Sequence, residues 1–305
     1  MKTAASAGSR RARTKRAASE RRVAPLWLWL SLPIALLAIG GSVAGILVDS
    51  IYAQETANWA AQSVAQDFAN LITVGALLVL GLLAARGSLR THLAWLGVLG
   101  FSAYTYAIYA FTIHFGPLFL LYVAVLGLSL YTLVGGLLSI DPERVKASFG
   151  PSAPVRSTAA LLIGVAAVFY LLWLSAIVPA TLDGTTPKAL VDTGLPANAV
   201  HVLDLAIFLP GAVLAGALLW RRRALGYVLA PLVLTMMALF GVTVVCINAV
   251  LAARGLDAVW AVALGMTAFS TVALVALSRF LSAARDDLHA ALIDARLARD
   301  PESRP

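Results

Sequence analysis

Two pairs of polar residues stand inside otherwise apolar stretches of the sequence. Asp67 and Asn70 are three residues apart, and so are His201 and Asp204. Because residues three apart share one face of an α-helix, each pair places a carboxylate beside a second hydrogen-bonding group. Such a pair suits the binding of a small molecule, and His201 with Asp204 could also serve as acid and base.

Other polar side chains fall at similar positions along neighbouring apolar stretches. His114 ends the third stretch, and Tyr104 and Tyr106 lie nearer its middle, where a hydroxyl group needs a partner. We therefore add Tyr106 and His114 to the two pairs as predicted ligand-binding residues. Tyr109 and Tyr122 lie nearer the ends of their stretches, where we expect them to pack or to join an aromatic belt.

The sequence supports metal binding and catalysis less than it supports the binding of a small molecule. His114, His201, Asp67 and Asp204 are residue types that bind zinc, but only His201 and Asp204 are close in sequence. The sequence has a single cysteine and no metalloprotease, nucleophile-elbow or phosphate-loop motif. We expect no metal ion, no cofactor and no catalytic centre, while an enzyme stays open as an alternative.

The amino-acid composition predicts that these residues belong to an integral membrane protein. Hydrophobic residues make up 60% of the 305 residues and charged residues 12%, whereas soluble domains have about 45–50% and about 25%. A chain of this length cannot bury so much apolar surface within itself, so lipid must cover part of it. The net charge of +8 comes from short basic clusters between apolar stretches, which argues against a nucleic-acid partner.

The apolar stretches divide the chain into three parts. We predict an all-α bundle with eight membrane spans over 26–280, preceded by a basic, disordered tail (1–25) and followed by an amphipathic tail (281–305). The predicted spans are 26–48, 64–86, 93–114, 117–139, 158–180, 200–220, 225–251 and 258–279.

The distribution of positive charge predicts the orientation. With the amino terminus in the cytoplasm, 21 of the 23 Lys and Arg residues fall on the cytoplasmic side, and only Lys188 and Arg254 fall outside. A miscounted span would invert everything downstream of it, so this split favours eight spans with both termini cytoplasmic.

The second and sixth spans are short. Asp204 and Arg221 are separated by 16 residues, which as a helix cover about 24 Å, less than the roughly 30 Å hydrocarbon core. These helices should therefore extend outward and bring both polar pairs to the outer boundary of the membrane. Asp67 and Asp204 could form one polar site there, or they could only stabilise the amino ends of their helices.

The two halves of the chain follow the same plan of spans and loops. At an offset of 137 residues Asp67 falls on Asp204 and Arg86 on Arg223, although only 5 of 22 positions match between 65–86 and 202–223. One interpretation is a parallel repeat of four plus four helices, in which short spans at equivalent positions point to a binding site.

Four segments carry a resemblance to a known group of proteins. They read QDFANLITVGALLVL, YTYAIYAF, GPLFLLYVAVLGLSLY and AVHVLDLAIFLPGAVLAGALLWRRRALGYVLAP. Through them the chain resembles, from about residue 49 to 280, a family of bacterial multi-pass membrane proteins with no assigned function. The resemblance implies a bacterial cytoplasmic membrane location and supplies no catalytic residues.

Three functions follow as hypotheses. The first is a transporter or ligand-binding protein whose partners are the lipid bilayer and an unknown small molecule, bound at an outward-facing polar site. The second is a membrane-embedded enzyme acting on a lipid or lipid-linked substrate at the outer leaflet. The third is a non-catalytic assembly or sensor subunit that works through its tails.

Overall fold

The computed structural model describes residues 25–286, and eight helices in this part are long and apolar enough to cross a membrane. The prediction of an all-α bundle with eight spans is confirmed, and the chain is a multi-pass membrane protein. The predicted tails lie outside the described residues up to residue 24 and from residue 287 onward. We name the spans α1 (Leu26–Leu47), α2 (Ala57–Ala85), α3 (Leu89–Thr112), α4 (Phe119–Leu138), α5 (Val155–Leu182), α6 (Ala199–Trp220), α7 (Ala224–Ala253) and α8 (Trp260–Ser282).

Three short helices lie in the connections. They are a 3-10 helix at Asp49–Tyr52 and α-helical turns at Pro142–Ser148 and Lys188–Thr193. Between residues 25 and 286 there is no β-strand, only an isolated bridge between Phe149 and Ala284.

Helix α2 is longer than its apolar core. It begins at Ala57, seven residues before the predicted start, because the Thr56 hydroxyl caps it by accepting a hydrogen bond from the Trp59 N–H at 3.2 Å. Its 29 residues cover about 44 Å, so the helix continues past the hydrocarbon core. The polar pair on α2 therefore lies well inside the helix.

Helices α3 and α7 form the centre of the bundle. Trp95 and Phe101 of α3 are fully buried, and α7 packs against α3 as well as α2. His92, near the start of α3, is 3% exposed and lies beside Trp95, with 5.2 Å between ring centroids. It is buried because α4 covers this end of α3, where the Gly136 backbone approaches Trp95 closely.

The loops make the two ends of the bundle chemically different. We call the end with Arg86, Arg90 and Arg221–Arg223 the basic face. We call the opposite end, formed by loops 48–56, 113–118, 183–198 and 254–259, the acidic face, because it carries five Asp or Glu residues against Lys188 and Arg254.

The segment that follows α8 binds to the basic face through hydrogen bonds. The Arg90 guanidinium donates to the Ala284 carbonyl at 2.7 Å, and Asp286 accepts hydrogen bonds from the Ser88 hydroxyl at 2.9 Å and the Arg90 N–H at 3.1 Å. Residues 283–286 are thus not helical and bind the α2–α3 turn of the same chain.

Candidate functional site

Asp204 lies at an irregular turn of α6. Residues Asp204–Phe208 form a single π-helical turn directly before Leu209 and Pro210. Proline has no N–H and its ring would clash with the carbonyl four residues earlier, so the wider turn accommodates Pro210. Such turns occur frequently at functional sites.

Two aromatic side chains hold the Asp204 carboxylate. The Tyr104 hydroxyl of α3 donates to Oδ1 at 2.9 Å, and the Trp173 indole of α5 donates to Oδ2 at 2.9 Å. Asp204 is 6% exposed, and the His201 ring lies against Trp173 with 4.4 Å between ring centroids. Each carboxylate oxygen therefore receives one neutral donor and keeps further acceptor capacity.

Asp204 faces a central cavity of about 270 Å³ between the two halves of the bundle. Six helices line it, and most of the lining is aromatic or aliphatic. The lining residues are Trp59, Gln62, Ser63, Gln66, Phe101, Tyr104, Thr105, Ile108, Tyr109, Phe169, Leu172, Trp173, Val200, Asp204, Phe208, Phe240, Thr243, Val244, Ile247, Val262, Met266 and Phe269.

The cavity has a floor on the side of the basic face. Phe240 of α7 makes edge contacts with Phe101 of α3 and Phe208 of α6, with ring centroids 5.5 Å and 4.9 Å apart. We call these three rings the aromatic floor. They are the lining residues of α3, α6 and α7 nearest the basic face, and on α2 the corresponding lining residue is Gln66.

A second, polar cavity of about 220 Å³ adjoins the first at the acidic face. The two share Trp59, Gln62, Ile108 and Val200. We call this second cavity the vestibule; its polar lining residues include Asn58, Asp192, Thr193 and Asn198. The two cavities are therefore neighbours, and these four side chains lie between the vestibule and the space that Asp204 lines.

Asp67 occupies a separate, sealed position. Its carboxylate accepts hydrogen bonds from the Tyr52 hydroxyl at 2.7 Å and the Tyr109 hydroxyl at 3.0 Å, and it is 2% exposed. Gly45 of α1 makes room for it, because a Cβ at that position would overlap Asp67 Oδ2. Burial raises the pKa of Tyr52 well above its usual value, and the Asp67 charge acts in the same direction, so Tyr52 keeps its proton and donates it.

Tyr109 connects the sealed carboxylate to the cavity. Its hydroxyl lies 3.0 Å from Asp67 Oδ1 and 3.0 Å from the Ser63 carbonyl oxygen, so its single proton is shared between them. Tyr109 and Ser63 both line the cavity, whereas Asp67 does not. Its ring also stacks on Tyr122, with centroids 4.9 Å apart and planes 11° apart. Of the two positions expected for these tyrosines, packing or an aromatic belt, the structure has the packed one.

The remaining predicted site residues lie around these two carboxylates. Asn70 is buried and accepts a hydrogen bond from the Gln66 amide at 3.0 Å, and Gln66 lines the cavity. Tyr106 is buried against Tyr109, with ring centroids 5.6 Å apart, and is not a lining residue.

His114 lies away from the cavity. It pairs with Glu55 at the acidic face, where its Nδ1 is 3.0 Å from Oε1, and its side chain is 58% exposed. The structure thus brings Asp204, Tyr104 and His201 together and places Asp67, Asn70 and Tyr106 beside them along α2 and α3, with His114 apart.

The helix-end interpretation of the two carboxylates does not fit their positions. Asp67 is ten residues beyond the first residue of α2, and Asp204 is five residues beyond the first residue of α6. The helix dipole acts within the first turn, so it is not what holds either carboxylate. Within residues 25–286 neither carboxylate has a Lys or Arg partner within 4.0 Å.

Sequence reasoning missed several functional side chains. Trp173 lies in the uniformly apolar α5, and no motif connects it to Asp204, 31 positions later. Gln62 and Gln66 fall on the cavity face of α2 together with Trp59 and Ser63, and only the early start of that helix exposes this pattern.

Comparison with known proteins gives no relative. No protein family matches the chain, and neither the curated proteins nor the solved structures contain a match.

Proposed function

We propose that this protein binds a small molecule in its central cavity, as a transporter or a receptor does. The observation that carries the proposal is the cavity itself, a largely apolar space of about 270 Å³ with one carboxylate oriented by Tyr104 and Trp173. Ligand pockets are typically apolar with a few fixed polar groups, and ionisable residues at membrane depth usually mark function.

We further propose that the ligand arrives from the acidic face, and that this face is external in a bacterial cytoplasmic membrane. The vestibule adjoins the cavity on the side of this face, and the aromatic floor lies on the side of the basic face. The excess of Lys and Arg on the basic face supports a cytoplasmic location for that side and for both termini.

Acid–base catalysis has less support than binding. A His–carboxylate pair needs a hydrogen bond between the two groups, but Asp204 accepts its bonds from Tyr104 and Trp173, and the His201 ring lies against Trp173. His201 is also not among the lining residues of the cavity.

The proposal is tested by filling the cavity. Thr243 lines the cavity on α7, and Thr271 lies on an exposed part of α8. We would compare wild type, Thr243→Phe and Thr271→Phe in lipid nanodiscs by thermal unfolding with benzyl alcohol, benzyltrimethylammonium and benzoate as probes.

At least one probe should raise the unfolding midpoint of wild type and Thr271→Phe and leave Thr243→Phe unchanged, because binding stabilises only the folded state that holds a free cavity. A response that persists in Thr243→Phe, or no response to any probe in wild type, would contradict the proposal.

A further inference from the structure

We propose that the ligand is a small organic cation with apolar or aromatic substituents, a substituted ammonium, whose charge pairs with Asp204. This inference rests on the proposed function and specifies the ligand that the cavity takes.

The side chains that line the cavity carry unbalanced negative charge. Asp204 is the only lining residue of the carboxylate type, and the described lining contains no Lys, Arg or His. Tyr104 and Trp173 orient the carboxylate but bring no positive charge. A carboxylate in an apolar space is stabilised by a partner of opposite charge, and an anionic ligand would be repelled.

Aromatic side chains surround the Asp204 carboxylate in the cavity. Trp59, Phe169, Trp173, Phe240 and Phe269 line the same space as Asp204. The faces of aromatic rings attract cations, most strongly where water is excluded, and rings together with a carboxylate are the usual way in which proteins recognise substituted ammonium groups.

The loops of the acidic face, next to the vestibule, carry net negative charge. They hold five Asp or Glu residues against two basic ones. Asp192 lines the vestibule but pairs with Lys188, whose Nζ lies 3.0 Å from its Oδ2, so the excess of negative charge comes from the other acidic residues of these loops. A surface of one sign concentrates ligands of the opposite sign and repels those of the same sign. Cations are therefore favoured from the loops to the cavity.

The test compares three molecules of similar shape and different charge. Binding of radiolabelled benzyltrimethylammonium to the protein in nanodiscs would be measured by equilibrium dialysis, with empty nanodiscs subtracted. Neopentylbenzene, which is neutral, and phenylmethanesulfonate, which is anionic, would serve as competitors. The variants are Asp204→Asn, whose amide oxygen can accept from the Trp173 indole while its amide N–H donates to the Tyr104 hydroxyl, and Asp141→Asn at the basic face as the matched control.

We expect saturable binding of the cation, weak competition by the other two molecules, and a Kd that rises at least ~10-fold in Asp204→Asn and stays unchanged in Asp141→Asn. If neopentylbenzene competes as well as the unlabelled cation does, or if Asp204→Asn binds like wild type, the inference falls while the cavity keeps its role. If the cation does not bind and no probe shifts the unfolding midpoint, the proposed function falls with it.

Discussion

Asp67 and Asp204 are buried carboxylates on two helices, and aromatic donors hold both of them. They differ in access: Asp204 lines the cavity, whereas Asp67 is enclosed by Tyr52, Tyr109 and the space that Gly45 leaves free. Removing one donor from a buried carboxylate costs more than a typical hydrogen bond, because the remaining charge loses its solvation as well. We therefore propose that Asp67 stabilises the fold and that Asp204 binds the ligand.

The role of Asp67 is tested by removing its donor on α3. Tyr109→Phe should lower the free energy of unfolding by about 1–3 kcal/mol, because Asp67 Oδ1 and the Ser63 carbonyl lose their shared proton. Tyr131→Phe on α4, whose ring is 72% exposed, is the matched control. Unfolding midpoints in detergent would measure the difference, and equal midpoints for both variants would show that the Asp67 cluster does not stabilise the fold.

Part of the site could be predicted at the residue scale. The position of Tyr104 near the middle of an apolar stretch indicated a hydroxyl in need of a partner, and Asp204 is that partner. The location of Asp67 and Asp204 at the outer boundary of the membrane stays a prediction. The pairing of Trp173 with Asp204 could not be predicted, since one helix of uniform apolar composition gives no sign of which face meets α6. His114 was misleading because Glu55, in the preceding loop, takes it as a partner.

At the scale of the helix, close packing between α3 and α7 sets the shape of the cavity. Gly97 of α3 lies against α7 so closely that an added Cβ would be 2.6 Å from the Leu232 carbonyl oxygen. Small residues allow such approach between membrane helices. Tyr104 on α3 and Phe240 on α7 then meet, with ring centroids 5.0 Å apart.

Gly97→Ala should therefore lower the unfolding midpoint, because the backbone of α7 has to move away. Gly127→Ala on α4 is the control, since an added Cβ there meets nothing within 4 Å and alanine favours the helix. Thermal unfolding of the two variants in nanodiscs gives the comparison. If the unfolding midpoint of Gly97→Ala were at or above that of Gly127→Ala, the contact between α3 and α7 could accommodate a methyl group, which would contradict the close packing of these helices.

The extent of each helix was predictable only where apolar residues define it. Apart from the start of α2, the five other bounds of α2, α6 and α8 fall within about three residues of the predicted ones, a scatter that helix ends usually show. The early start of α2 could not be predicted from apolar residues, because its first two turns contain Asn58, Gln62 and Ser63. These turns depend on the Thr56 cap, and part of them lines the vestibule. The π-helical turn before Pro210 was also missed, since a proline predicts a disturbance of the helix but not its form.

At the scale of the whole molecule, the two halves have the same packing order. In the first half α1 contacts α2 and α4, and α3 contacts α2 and α4; in the second half α5 contacts α6 and α8, and α7 contacts α6 and α8. This order supports the proposal of a parallel repeat, with Asp67 and Asp204 at equivalent places. Their hydrogen bonds are not equivalent. Asp67 is bonded to α3, the next helix of its own half, whereas Asp204 is bonded to α3 of the other half and not to α7. Of the two carboxylates, Asp204 lines the cavity.

The central claim is that the cavity is open to the acidic face and selects cations through Asp204. Cys246 is the single cysteine of the chain, so Cys246→Ser provides a cysteine-free background. In this background we would introduce Thr243→Cys within the cavity or, as a reference, Ala197→Cys in an exposed loop of the acidic face.

Intact cells would be treated with the membrane-impermeant reagents trimethylammonium-ethyl methanethiosulfonate and sulfonatoethyl methanethiosulfonate, which differ in the sign of their charge. We predict that both sites react from outside, and that the ratio of cationic to anionic rate is about tenfold higher at position 243 than at position 197. In Asp204→Asn the ratio at position 243 should fall to that of position 197. No reaction at position 243 from outside, or an equal ratio at the two positions in the parent protein, would contradict the account.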